Sequence, residues 1–182
     1  MPDFRSPEFL LGHIRHTLAF YDARCVDASG GFFQFFKDDG SVYDRRTRHL
    51  VSSTRFVFNH AMAWRRFGIP GYQERVRHGL AFLQRAHAQP QGGYAWQLDW
   101  HDGRATVQDG THHGYGLAFV LLAHAHALMA GVEDERRLVV LDYLQSDVTW
   151  DLEQAIETLS EIDIDELLDL SQRGDTLRVR EA

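Results

Sequence analysis

One cysteine, Cys25, stands among 182 residues, so no internal disulfide can form and a disulfide-stapled secreted scaffold is excluded. Cys25 is expected to act as a small buried hydrophobe. A basic excess is also lacking: 19 Lys+Arg face 26 Asp+Glu, for a formal charge of -7, which argues against a global grip on nucleic acid or an anionic membrane. The longest apolar run, Leu117 to Ala130, is interrupted by His124 and His126 and falls short of the ~20 residues a membrane helix needs. The opening Met-Pro-Asp-Phe-Arg carries an acid and a proline where a signal peptide has a basic and then an apolar stretch. A cytoplasmic protein is expected. No Gly-x-Gly-x-x-Gly, phosphate loop or Cys-x-x-Cys occurs, so nucleotide and zinc-finger chemistry has no anchor.

What is present is 44% hydrophobic, 12% aromatic and 25% charged, the balance of a folded chain rather than a disordered one. It is unevenly distributed. All 11 His, all 12 Phe, all 4 Pro and 14 of the 15 Gly fall in residues 1–132. That segment carries 14 Lys+Arg and 11 Asp+Glu, whereas 133–182 carries 5 and 15. We therefore expect two parts, 1–132 and an acidic 133–182.

The first part reads as helices separated by Gly-rich turns. Ser6-Pro7-Glu8 can start a helix, with Ser as cap and Pro at the first helical position. Phe9, Leu10, Ile14, Thr17, Leu18 and Tyr21 then keep one stripe at helical spacing. Further helices are expected over Ser52–Phe67, ending at Gly68, over Tyr72–Ala88, before Pro90, and over His112–Ala130, ending at Gly131. Between them, Gly30-Gly31-Phe32-Phe33-Gln34-Phe35-Phe36, the turn Asp38-Asp39-Gly40-Ser41 and Val42-Tyr43 spell a short hairpin.

The pattern then recurs. Gly92-Gly93-Tyr94-Ala95-Trp96-Gln97 echoes Gly30 to Gln34, and Asp102-Gly103 echoes Asp39-Gly40. The Gly pairs lie 62 residues apart and the closing Gly68 and Gly131 lie 63 apart. An internal repeat of helix, Gly-Gly hairpin and helix implies stacked helical pairs in a ring or solenoid. Two units leave two open ends, whose exposed helix faces favour self-association.

At Thr47-Arg48-His49-Leu50-Val51-Ser52-Ser53-Thr54-Arg55-Phe56, and again at His113-Gly114-Tyr115-Gly116-Leu117-Ala118-Phe119-Val120-Leu121-Leu122-Ala123, the sequence resembles the N-acylglucosamine 2-epimerase superfamily, most of all its D-mannose isomerase branch. The resemblance covers about residues 5–133, which leaves 133–182 as an acidic amphipathic helical tail expected to be unrelated to the family, and the Gly-Gly hairpins sit where that family has them. It implies an all-α fold, part of an (α/α)6 barrel with short Gly-Gly β-hairpins, to which the acidic C-terminal helices would be added. It also implies aldose–ketose isomerisation such as mannose to fructose, or 2-epimerisation, on a monosaccharide and without metal or other cofactor. Such chemistry moves a proton between neighbouring carbons, so it needs a base and an acid of near-neutral pKa and fixed donors for the enediolate oxygens.

Carried over residue by residue, Arg55 matches the family arginine that reaches into the pocket, and Tyr115 the pocket tyrosine. Arg55 could instead form an interhelix salt bridge, and Tyr115 could pack in the core. The family's catalytic His pair belongs to a later part of the barrel, and residues 134–182 contain no His. A six-unit ring of such repeats needs about 370 residues. The resemblance therefore implies a truncated, catalytically incomplete chain. A non-catalytic helical module binding a partner through its acidic helices, or a glycosidase-like helical ring, are the alternatives.

Other residues carry two readings each. His113, beside Tyr115, could touch the pocket or cap its helix, and so could His112. Trp96 and Trp100 could stack on a sugar or pack the hairpin. Asp38 with Asp39, and Asp99 with Asp102, could be paired carboxylates, but Asp-Asp-Gly and Asp-Gly are also turn signals. His13 with His16, and His124 with His126, lack a third ligand at metal spacing, so no metal is expected. Arg45, Arg46 and Arg48 are expected on a solvated loop face, with phosphate or acid binding as the other reading. In the acidic part, Leu152, Ala155, Ile156 and Leu159 follow helical spacing, Leu167, Leu168 and Leu170 follow a capped start, and Thr176 to Arg180 could be a strand.

Overall fold

The computed structural model describes residues 3–132; the helices and strand expected after Val132 lie outside that range. Helix α1 (Pro7–Asp22) begins as its sequence dictates, with the Phe9 N–H donating to Ser6 Oγ at 3.2 Å and Pro7 in the first turn. Its stripe behaves differently from expectation. No α1 residue is buried, and Leu10 and Ile14 remain 48% and 47% exposed. Its ring contacts to the rest gather toward the C-terminal end, where the Tyr21 ring lies edge-on to Phe36 and Phe56, while mid-helix Arg15 reaches over the Phe67 ring at 5.0 Å.

Strands β1 (Phe35–Phe36) and β2 (Val42–Asp44) pair antiparallel across the predicted Asp-Asp-Gly-Ser turn. A second sheet joins β3 (Thr47–His49), β4 (Gln97–His101) and β5 (Arg104–Asp109), with Arg48 opposite Leu98 and Asp102-Gly103 turning β4 into β5. The fold is therefore not strictly all-α. The reason is local: Leu98 and Trp100 alternate inward along β4 while Gln97 and Asp99 point outward, the period-2 pattern that only a strand accommodates.

Helix α2 (Leu50–Phe67) starts directly after β3 and stops at Gly68, whose φ of 65° closes the last turn. Helix α3 (Pro70–Phe82) starts two residues before the predicted Tyr72, because Pro70 supplies a helical φ where a donor is not needed. It does not run unbroken to Ala88: Leu83–His87 is a π-helical turn. The wider turn aims His87 inward. Helix α4 (Gly114–Met129) starts after His112 and His113, which stay outside the helix, His113 with an extended backbone.

The repeat is visible in the backbone bonds. In the first unit, Asp27 N–H donates to Gly31 C=O, Gly30 N–H to Asp27 C=O and Phe33 N–H to Cys25 C=O; in the second, Gln89 N–H donates to Gly93 C=O, Gly92 N–H to Gln89 C=O and Ala95 N–H to His87 C=O. Each donor and acceptor is displaced by 62 residues. Gly93, at φ +78°, is held by more than backbone freedom, since a Cβ there would lie 2.0 Å from His112 Nδ1.

Helix α2 is central, packed against α3 on one side and α4 on another. Gly79 of α3 lets the helices close up; a Cβ there would meet Val57 Cγ2 at 2.5 Å and the Phe32 ring at 2.7 Å. Around this contact Phe32, Val57, Val76, Leu80, Leu83, Leu117 and Val120 form the core. Cys25 is fully buried in it, and burial raises its thiol to about 11, so it stays neutral.

The Arg45–Arg48 group departs from the solvated face that was expected. Arg45 and Arg46 are exposed, but Arg48 is fully buried. Its Nη2 donates to Asp27 Oδ2 at 2.6 Å, and its Nη1 to the Arg45 and Thr47 carbonyls. Strand alternation turns Arg48 inward, and Asp27 compensates the charge there. Removing one partner of such a pair costs about 3–5 kcal/mol. Arg48 is thus a structural residue tying the first Gly-Gly turn to β3.

Candidate functional site

The N-terminal ends of α2 and α4 lie close together beside Trp96: a Cβ on Gly116, in the first turn of α4, would meet Leu50 Cδ2 and Trp96 Cζ3 at 3.0 Å each. His49 is the last residue before α2, and His113 the last before α4. Trp96 sits between them. Its carbonyl accepts from Leu50 N–H at 2.9 Å, and its ring lies 4.3 Å from the His49 ring and 4.2 Å from the His113 ring.

A second group adjoins the first through Phe119 of α4. The Arg55 guanidinium lies over the Phe119 ring at 4.7 Å, and the Tyr115 ring meets the same ring edge-on at 4.9 Å. Phe119 packs with Val51 and Leu122, and Trp96 packs against that cluster. Arg55, Tyr115, Trp96 and His113 are therefore brought together on one apolar floor. The interhelix salt bridge considered for Arg55 is not formed with any carboxylate among the described residues. Tyr115 is 36% exposed rather than buried in the core.

The electrostatics of this mouth are set by burial and by neighbouring charge. His49 is held below the ordinary 6.5, chiefly because half-burial penalises its charged form, next because His113 opposes it; Asp109 pulls the other way. His49 is thus a neutral imidazole near pH 7, able to donate from one nitrogen and accept at the other. Asp109 is held below the usual carboxylate range by its bonds from Thr111, with His113 and His49 adding to the effect. Two aromatic faces, a neutral imidazole, a carboxylate and a guanidinium can together grip a polyol, with ring faces taking C–H surfaces and polar groups taking hydroxyls.

The remaining candidates fall elsewhere. Trp100 separates from Trp96: it is buried against Phe82, with Nε1 donating to Ser29 Oγ at 2.9 Å. Asp39 accepts from Ser41 N–H inside its own turn, Asp99 is paired with Arg46, and Asp102 stands at the hairpin tip with φ 49°. His13 stacks on Phe9 along α1, and His126 lies edge-on to Phe58. Among the described residues no three His, Cys, Asp or Glu gather as metal ligands, and no helix is long and apolar enough to cross a membrane.

Sequence reasoning assigned no role to His49, Phe119, Gln34, Ser53 or His87. One signal was available for His49: like His113 it is the residue immediately before a helix in its repeat. The others depend on contacts between separate elements.

A match to the N-acylglucosamine 2-epimerase (GlcNAc 2-epimerase) family covers residues 31–163, crossing the compositional seam at Val132. The chain belongs to that family. Within it, the sequence is 49% identical over 142 residues to a D-mannose isomerase of Marinomonas mediterranea, covering 78% of this chain and 35% of the relative. A crystal structure of D-mannose isomerase superposes with a TM-score of 0.73 at 49% identity, over 79% of this chain and 36% of that one. A sugar epimerase from a ruminal bacterium shares the fold, with a TM-score of 0.64 at 18% identity, over 75% and 36%. The chain spans about a third of the length of these relatives.

Proposed function

We propose that residues 1–132 form the N-terminal arc of an (α/α)6 barrel whose mouth supplies one wall of a monosaccharide site for aldose–ketose isomerisation of the mannose-to-fructose kind. The observation that carries this is the convergence of Arg55 and Tyr115 on Phe119, beside Trp96 and His113, in a chain 49% identical to a D-mannose isomerase over 142 residues. Arg55 is assigned to sugar oxygens or to the negative charge that develops on them, since a guanidinium presents several fixed donors. Tyr115 and His113 take hydroxyls, and Trp96 takes an apolar face of the sugar.

The assigned residues bind and orient; none is given the proton transfer. That step moves a proton from one carbon to its neighbour and needs its own base and acid. We therefore expect the chain alone to bind monosaccharide without interconverting mannose and fructose. Calorimetric titration with each sugar tests this. The expected result is weak saturable binding by the native chain that Arg55→Ala reduces about ten-fold or more, the loss of a charge-assisted bond. Binding unaffected by Arg55→Ala, or isomerisation by the purified chain, would contradict the assignment.

A further inference from the structure

Beneath the mouth runs a chain of polar side chains that the reaction does not touch. We infer that Gln34, Ser53 and His87 are positioning residues, a hydrogen-bonded circuit that sets where His49 and Trp96 stand. The inference rests on the sugar-site reading for its purpose, though not for its geometry.

The circuit can be followed atom by atom. Gln34 brackets the His49 backbone: its Oε1 accepts from His49 N–H at 2.7 Å and its Nε2 donates to His49 C=O at 3.3 Å. The second Nε2 hydrogen goes to Ser53 Oγ at 2.9 Å. Ser53 Oγ lies 3.1 Å from His87 Nε2, and His87 Nδ1 lies 2.9 Å from the Ala95 carbonyl. A carbonyl can only accept, so the His87 proton is on Nδ1 and Nε2 is left as an acceptor for the Ser53 hydroxyl. One proton order satisfies every group. Ala95 leads directly to Trp96, whose ring returns to His49.

The fold does not require this arrangement. In the first repeat the same turn, with the same backbone bonds, carries Cys25 at the place of His87. A thiol suffices there. Burying a serine and a histidine in the second unit, where His87 is 0% and Ser53 2% exposed, has a desolvation cost that an apolar residue avoids. The π-helical turn that delivers His87 is itself a departure of the kind that re-aims a side chain. Both features are explained if the circuit clamps one particular placement of His49 and Trp96.

The test uses the full chain with nitrogen-labelled histidine and tryptophan. In the native protein without sugar, His87 is expected as the Nδ1–H tautomer. Ser53→Ala should move the His49 imidazole and Trp96 indole signals and weaken D-mannose binding about ten-fold; Ser53→Thr, which keeps the hydroxyl, should restore both. A folded Ser53→Ala protein with unmoved His49 and Trp96 signals would overturn the inference. So would an Nε2–H tautomer of His87, a result that needs no variant to fold. If the native chain binds no sugar, the sugar-site reading fails while the tautomer and signal shifts still decide the circuit.

Discussion

The two Gly-Gly turns have the same backbone and different interiors. Both close with three equivalent main-chain bonds and seat an aromatic ring, Phe32 or Tyr94, in the core. The buried position whose carbonyl closes the first turn holds the neutral Cys25; the matching position of the second holds His87 within a polar circuit. What the repeats share is therefore what the fold needs. Where they differ, the second unit has traded cheap apolar burial for hydrogen bonds that end at Trp96, at the mouth. The comparison separates architecture from function inside one chain.

The largest effect should come from what is shared. Phe32→Ala and Tyr94→Ala each remove a buried ring, and each is expected to cost about 3–5 kcal/mol by denaturant unfolding. If one is nearly silent, the two turns are not equivalent supports. The difference between the units should appear in acid. Burial pushes His87 down to about 4, with the Ala95 carbonyl bond opposing, and pushes His60 down to about 4 beside Arg75 and Asp22. The unfolded chain takes up these protons near the ordinary 6.5, the native chain only near 4, so the unfolded state holds more protons in between. Stability from these groups is complete above about 6.5 and is lost as pH falls toward 4. Unfolding measured across this range should show the fall, and His87→Cys should flatten its share of it, whereas Cys25→Ala should leave the slope unchanged. Smallest is Arg46→Ala. Its pair with Asp99 ties β3's approach to the second hairpin but is screened by solvent, so a denaturation midpoint close to that of the native protein is expected.

The same contrast explains what could be read without coordinates. Ser6-Pro7, Gly68 and the Asp-Gly turns act through local backbone preference, and the elements they bound are where their residues imply. The 62-residue period announced the helical pairs. Other features depend on the partner across the fold. Nothing local in Tyr72–Ala88 signals a π-helical turn, and β3 exists only because β4, some 50 residues later, pairs with it. Arg48 looks like a solvated arginine until Asp27 is placed against it. Of the residues proposed for the site, Arg55 and Tyr115 were singled out by their motifs, His113 by its place beside Tyr115 and Trp96 as an aromatic able to stack on a sugar, while the Phe119 ring that Arg55 and Tyr115 both meet depends on packing between α2 and α4.

An open cavity of about 460 Å³ between α1 and the first hairpin, lined by His16, Phe20 and Lys37 among others, offers a competing place for a small polar ligand. Mapping amide and side-chain shifts during titration with D-mannose decides between the two most directly. The account predicts saturable shifts centred on the Trp96 indole, His113, Tyr115 and the first turns of α2 and α4. Shifts confined to α1 and the β1–β2 hairpin, with the Trp96 and Tyr115 signals unmoved at saturation, would contradict it.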